Sequence, residues 1–128
     1  MVLDDLADYL QAQGLGTLGQ TIFLGAFPPD ASSAPVADGT LVLVQCEGAL
    51  VQVLSRGPPH DAAAALERLR QVQSALPPCA SLDPILLSGQ RYATVSVRQL
   101  PQLLNWDAAD RPMCGMHLTC IPASRQRR

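Results

Sequence analysis

Apolar residues return at helical intervals in two stretches of this chain and alternate with polar ones in most of the others. In VLDDLADYLQAQ, Val2, Leu3, Leu6, Ala7, Tyr9 and Leu10 recur with the spacing of a helix that buries one stripe. A first helix is predicted from Val2 to Gln13, with Asp4 and Asp5 in the opening turn, where carboxylates complement the helix dipole. HDAAAALERLRQVQSAL, residues 60 to 76, predicts a second helix. Asp61 stands at its N-cap or first turn, Ala62, Ala65, Leu66, Leu69, Val72 and Leu76 form its stripe, and Pro77 and Pro78 end it.

The remaining pattern is that of strands. A short β-branched and aromatic run, Thr21 to Phe27, leads into PPDASSAPVADG, residues 28 to 39, an exposed loop by its prolines and serines. LVLVQC, 41 to 46, and ALVQVLSR, 49 to 56, predict a hairpin about Glu47-Gly48. Their few charges suggest a sheet covered by helices on one face and by a neighbouring subunit on the other. PILLSGQRYATVSVRQLPQLL, 84 to 104, predicts two strand segments broken near Ser88-Gly89, and NWDAADRP, 105 to 112, a turn-rich connection. MCGMHLTCI, 113 to 121, alternates, with Cys114, Met116, Leu118 and Cys120 assigned to the core side. The fold class that follows is α+β: a mainly antiparallel β-sheet with two helices packed on one face. One domain, 1–122, precedes a flexible basic C-terminal tail, 123–128.

GLGTLG, residues 14 to 19, fits the G-x-G-x-x-G pattern that cradles dinucleotide phosphates. That pattern works where a strand feeds the first glycine and a helix starts at the last. Here the order is reversed, with a helix upstream and a strand downstream. Gly14 therefore reads as the residue past a helix C-terminus, able to take positive φ.

Composition narrows the chemistry. Apolar residues are 48% of the chain but aromatic ones only 4%, so Leu, Val, Ile and Ala must build the interior. Charged residues are 16%, below the usual quarter, which fits either an alanine-rich composition or a surface partly covered by other chains. The net charge of −2 argues against a nucleic-acid binder, which would show a basic face. The RQRR tail, 125 to 128, reads as a solvated end. All 9 basic residues are arginine, through coding bias or for interface pairing. The N-terminus lacks the basic and apolar regions of a secretory signal, and no run suits a membrane span, so a soluble, intracellular protein is expected.

No catalytic residue, cofactor or metal site is assigned. Cys46, Cys79, Cys114 and Cys120 show no C-x-x-C spacing and read as buried free thiols. Asp4 and Asp8 share a helix face without a third ligand. Zinc would need converging ligands that these scattered positions do not supply. Only His60 and His117 could serve as bases for a nucleophile; His60 reads as a surface residue, His117 as a sheet histidine or an interface donor.

MVLDDLADYLQAQGLGTLGQTIFLGAFPPD, 1 to 30, resembles the N-terminal signature of the small minor capsid and tail-terminator proteins of long-tailed bacteriophages and prophages. In that family a short acidic helix, a G-[IL]-G-T-x-G turn and an I-F-x-G-x-x-P strand follow in this order. The helix 60–76 stands where the family has its amphipathic second helix. LSGQRYATVSVRQLPQLLNWDAADRPMCGMHLTC resembles its N-G-x-R-Y strand, D-x-x-x-R-P turn and last strand, with Asp107, Arg111 and Pro112 matching the turn. Residues 31 to 56 match only in general pattern. The final strand departs from the family, carrying Met113, Cys114, Met116 and Cys120 in place of an aromatic-rich alternation.

The resemblance implies a structural virion protein at the head-tail junction, assembled in the host cytoplasm, and no enzyme. Its copies would form a ring, a homohexamer, that caps the tail tube, stops tube polymerisation and offers the head-tail joining surface. The implied partners are the chain itself, the major tail tube protein and a head-tail connector or stopper protein. Double-stranded DNA would pass through without specific binding, and no membrane is involved. A head-completion or neck connector protein is the rival within this class; a small ligand-binding or regulatory α+β module, or a hydrolase, are rivals from others. Candidate interface residues are Arg98, Trp106, Asp107, Arg111 and Pro112, with the loop from Pro28 to Gly39 beside them. Trp and Arg are enriched among interface hot spots, although Trp106 could equally cover a core edge. Trp106→Ala and Arg111→Ala are expected to weaken assembly more than folding, with native mass and melting curve as the two readouts.

Overall fold

The computed structural model describes residues 2–25, 39–76, 85–87, 89–107 and 109–123. The Pro-rich stretch expected as a loop lies mostly outside them, as do Cys79 and the RQRR tail. Helix α1 runs Val2–Ala12 and buries Leu6, Ala7 and Leu10. It ends in a Schellman motif. Gly14 takes φ 80° and donates its amide to Gln11 O at 3.0 Å, and Leu15 N reaches Leu10 O at 3.0 Å.

The rest of the glycine run turns its amides inward. Thr17 N donates to Thr21 Oγ1 at 2.9 Å, Leu18 N to Gln11 Oε1 at 2.8 Å and Gly19 N to Ile22 O at 2.9 Å. Strand β1, Ile22–Leu24, follows the last glycine. These amides are spent on the chain itself and no helix starts here, so the run closes a helix and launches a strand. A phosphate cradle needs the opposite arrangement. Gly16 is needed for space as well as backbone freedom: at φ 157° its Cβ would stand 2.7 Å from Thr21 Oγ1 and 2.9 Å from Ile22 Cγ1.

Strands β2, Leu41–Gln45, and β3, Leu50–Arg56, form the expected hairpin. Helix α2, Ala62–Ala75, begins where the sequence places it, with the Asp61 carboxylate accepting from Ala64 N at 3.1 Å. Strands β4, Ile85–Leu87, β5, Gln90–Trp106, and β6, Pro112–Pro122, complete one sheet of order β1-β2-β3-β6-β5-β4. All neighbours are antiparallel except β1 and β2, which are parallel. The architecture is the expected α+β one, with β5 running on through Asn105 and Trp106, positions that the sequence assigned to a connection.

Register decides which face is core. Ile22, Leu41, Ser55 and Cys114 stand in one row across β1, β2, β3 and β6, and Leu43, Val53 and Met116 in another. Both rows face the helices. Leu6, Ala7 and Leu10 of α1 and Ala65, Leu69 and Val72 of α2 join them in one cluster with Val51, Val95, Leu118 and Cys120. As expected, Cys114, Met116, Leu118 and Cys120 are the buried side of β6. No helix among the described residues is long and apolar enough to cross a membrane.

Polar ties lock the layers together. Tyr9 Oη donates to Ala75 O at 2.5 Å, joining the two helices, and Tyr92 Oη of β5 donates to Asp5 Oδ2 of α1 at 2.7 Å. Arg68 of α2 donates to Gly39 O at 2.8 Å, to Gln71 Oε1 at 3.1 Å and to Leu15 O, clamping the turn after α1 and the lead into β2. Ser55 is the opposite case: its hydroxyl is buried with no partner among the described residues. An orphaned hydroxyl is costly, so Ser55→Ala should leave stability unchanged or raise it by about 1 kcal/mol. Gly16→Ala, which adds a clash to a strained φ, should cost about 2 kcal/mol. Denaturant unfolding of both variants checks the contrast.

Candidate interaction surface

The Asp107 carboxylate organises the turn between β5 and β6. Its Oδ1 accepts from Ala109 N at 2.9 Å and Arg111 N at 2.9 Å, and its Oδ2 from Arg111 Nε at 2.8 Å. The Asp107 amide returns a bond to Arg111 O at 2.9 Å, and Arg56 of β3 brings a guanidinium nitrogen to 3.6 Å from Oδ2. The backbone amide of Arg111, with help from that of Ala109 and the Arg111 guanidinium, holds the carboxyl below the ordinary carboxylate range.

A second turn braces the first. His60 and Asp110 both sit at left-handed φ, 62° and 59°, and His60 N donates to Asp110 O at 2.8 Å. The residues expected at an interface therefore divide. Arg111 is buried at 8% exposure and serves the turn together with Asp107, and Pro112 is buried opposite Trp106. Their first role is to hold the hairpin, so Arg111→Ala must act on folding before it acts on assembly. Arg98 and Trp106 are exposed.

Trp106 has apolar company that the sequence reading did not single out. Leu100 is 66% exposed, Leu103 41%, Leu104 38% and Trp106 46%, all on the distal half of β5. Strand β4 pairs with β5 only as far as Tyr92, so from Ala93 to Trp106 the outer edge of β5 faces no described strand. Register against β6 shifts between Val97 and Gln99, between Gln99 and Gln102, and between Leu103 and Asn105. Pro101, which has no amide proton to give, sits within one such shift.

The bulges send the leucines to both faces. Leu103 lies opposite Cys114 on the helix side. Leu104 lies over Gly115 on the other side, where a Cβ at Gly115 would stand 2.8 Å from Leu104 Cδ1 and 3.0 Å from Leu54 Cδ2. The run QLLNW breaks two-residue alternation, which hid its strand character. Its density of large apolar residues beside a proline was the available signal.

Other chemistry is sparse. His117 Nδ1 lies 2.8 Å from Gln99 Oε1 on the face without helices, and His60 Nε2 lies 3.8 Å from Asp110 Oδ2 in solvent. Burial raises the thiol pKa of Cys114 and pushes that of Cys120 up to about 11, so both stay protonated and weakly nucleophilic at neutral pH. Among the described residues no group of three or more His, Cys, Asp or Glu converges on a metal position. A cleft of about 360 Å³ is lined by Gly39, Gly57, Pro58, Glu67 and Arg68, but the Arg68 guanidinium is engaged with Gly39, Leu15 and Gln71.

No protein-family model, no curated protein and no solved structure matches this chain. Among the described residues, the site is a braced hairpin whose outer strand has an unpaired backbone edge and an apolar strip.

The clasp predicts an acid dependence. A carboxyl whose folded pKa lies below its unfolded value stabilises the fold above about pH 3.9, and that stability fades as pH falls through the folded value. Asp107→Asn should lower the melting temperature at neutral pH and flatten its fall on acidification. Melting curves of both proteins from neutral to acid pH measure this.

Proposed function

We propose that the chain is a structural virion protein, a ring-forming tail terminator that caps the tail tube, stops its polymerisation and presents the head-tail joining surface. The observation that carries this reading is the distal edge of β5, which faces no strand among the described residues, with Leu100, Leu103, Leu104 and Trp106 exposed along it. An exposed strip of large apolar residues suits a subunit that works by contact.

The element order gives further support. An acidic helix, a glycine turn, a short strand, an amphipathic second helix, a long strand and an Asp107–Arg111 turn succeed one another as the sequence resemblance implies. A chain of this length has a radius of gyration of roughly 14 Å, so a hexameric ring of such units would enclose a passage wide enough for duplex DNA. Head-to-tail contacts in the ring would use two different patches per subunit. A net charge of −2 suits a lumen that lets DNA move without holding it.

Electron microscopy of the purified chain mixed with tail-tube subunits tests the reading. The expected result is a ring seated on one tube end and shorter tubes as the chain is added. Association with the portal side alone would favour the neck-connector alternative. A chain that touches neither would remove the virion reading and leave the ligand-binding or regulatory module.

A further inference from the structure

We propose that, away from any tube, two copies of this chain pair through the distal half of β5, antiparallel and about a two-fold axis, so that their sheets join edge to edge. This goes beyond the ring reading and does not rest on it.

The occupant of an open strand edge must itself bring a strand edge. The far side of the sheet has little to offer. Along β1, Ile22 N already donates to Thr17 O at 3.1 Å, Ile22 O accepts from Gly19 N at 2.9 Å, and Leu18 forms a bridge with Ile22. The glycine loop thus plugs that edge. β4 shields β5 from Gln90 to Tyr92. Among the described residues, the long open edge left is β5 from Ala93 to Trp106, and a second copy that extends this edge must present its own β5. Such pairing is isologous, the commonest form of self-association.

Charge agrees with that occupant, and the area is that of a weak, reversible pair. ATVSVRQLPQLLNW, 93 to 106, carries a single charge, Arg98. With the axis near Leu100 and Pro101, each Arg98 faces an uncharged residue and the two are separated along the seam. Pro101 falls close to the axis, where its missing amide leaves the flanking segments to carry the hydrogen bonds. From their fractional exposures, the four large side chains present on the order of 400 Å² per copy, divided between the two faces of the strand because Leu103 and Leu104 stand on opposite sides, so an edge-to-edge seam flanks its backbone bonds with apolar side chains above and below. Two copies bring about 800 Å² before backbone and flanking polar groups are counted, against roughly 1,200 Å² for the smallest stable interfaces.

The test is the mass of the full chain by light scattering over a dilution series, with amide exchange across Ala93–Trp106 followed in parallel. The expected result is a dimer that dissociates on dilution, with those amides exchanging more slowly in the dimer. Leu100→Glu and Trp106→Ala should each weaken it by about tenfold or more. Leu86→Glu, at an exposed leucine on β4 outside the seam, should leave it unchanged. Melting curves of the dilute variants report their folding separately.

A chain that stays monomeric at every concentration overturns the proposal, and so does an oligomer that Leu100→Glu leaves intact. Tube capping bears on the ring alone. A dimer without capping upholds the pairing and removes the ring; capping by a chain that never dimerises does the reverse.

Discussion

The inner row of β6, Cys114, Met116, Leu118 and Cys120, is the contact on which the rest of the molecule depends. β6 lies between β3 and β5 and packs under α2, so its side chains meet both flanking strands and the helix layer at once. A slip of one residue against either neighbour would carry the row to the open face and bring Met113, His117 and Thr119 into the core. That cost fixes the register of β3 and, through β3, of β2. The same register places Ser55 among apolar neighbours, leaving its hydroxyl without a partner among the described residues.

Around this core, polar groups serve connection more than chemistry. Arg68, Tyr9 and Tyr92 each reach across the chain to a carbonyl or carboxylate and tie the helices to the turns and to each other. Asp107 does the same for the hairpin, drawing Arg111 and Arg56 onto one carboxylate. These interactions brace a chain with few charges, and a strand edge held by a braced turn has less freedom to lose on contact.

The helix layer satisfies one face of the sheet and leaves the distal β5 strip uncovered. Bulges and Pro101 blunt this edge against indiscriminate strand addition, while the leucines and Trp106 keep it attractive to a matched surface. On the proposed reading, the two tendencies together would make the surface selective for its occupant. They also explain why the candidate residues divide between those that build the platform, Asp107, Arg111 and Pro112, and those that stand on it, Arg98 and Trp106.

Much of this could be read from the chain alone, because it rests on local periodicity and local capping. The stripe of α2 and its Asp61 cap, the glycine that ends α1, the β2–β3 hairpin and the core side of β6 all depend on residues a few positions apart. The parallel pairing of β1 with β2, the placement of β6 between β3 and β5, and the burial of Arg111 against a turn braced from His60 depend on residues far apart in sequence. So does the exposed strip, since bulges break the alternation that announces a strand, and exposure is set by where α2 and β4 stop covering β5. Spacing along the chain determined which side chains share a face; only the packed structure decided which of those faces was left without a neighbour.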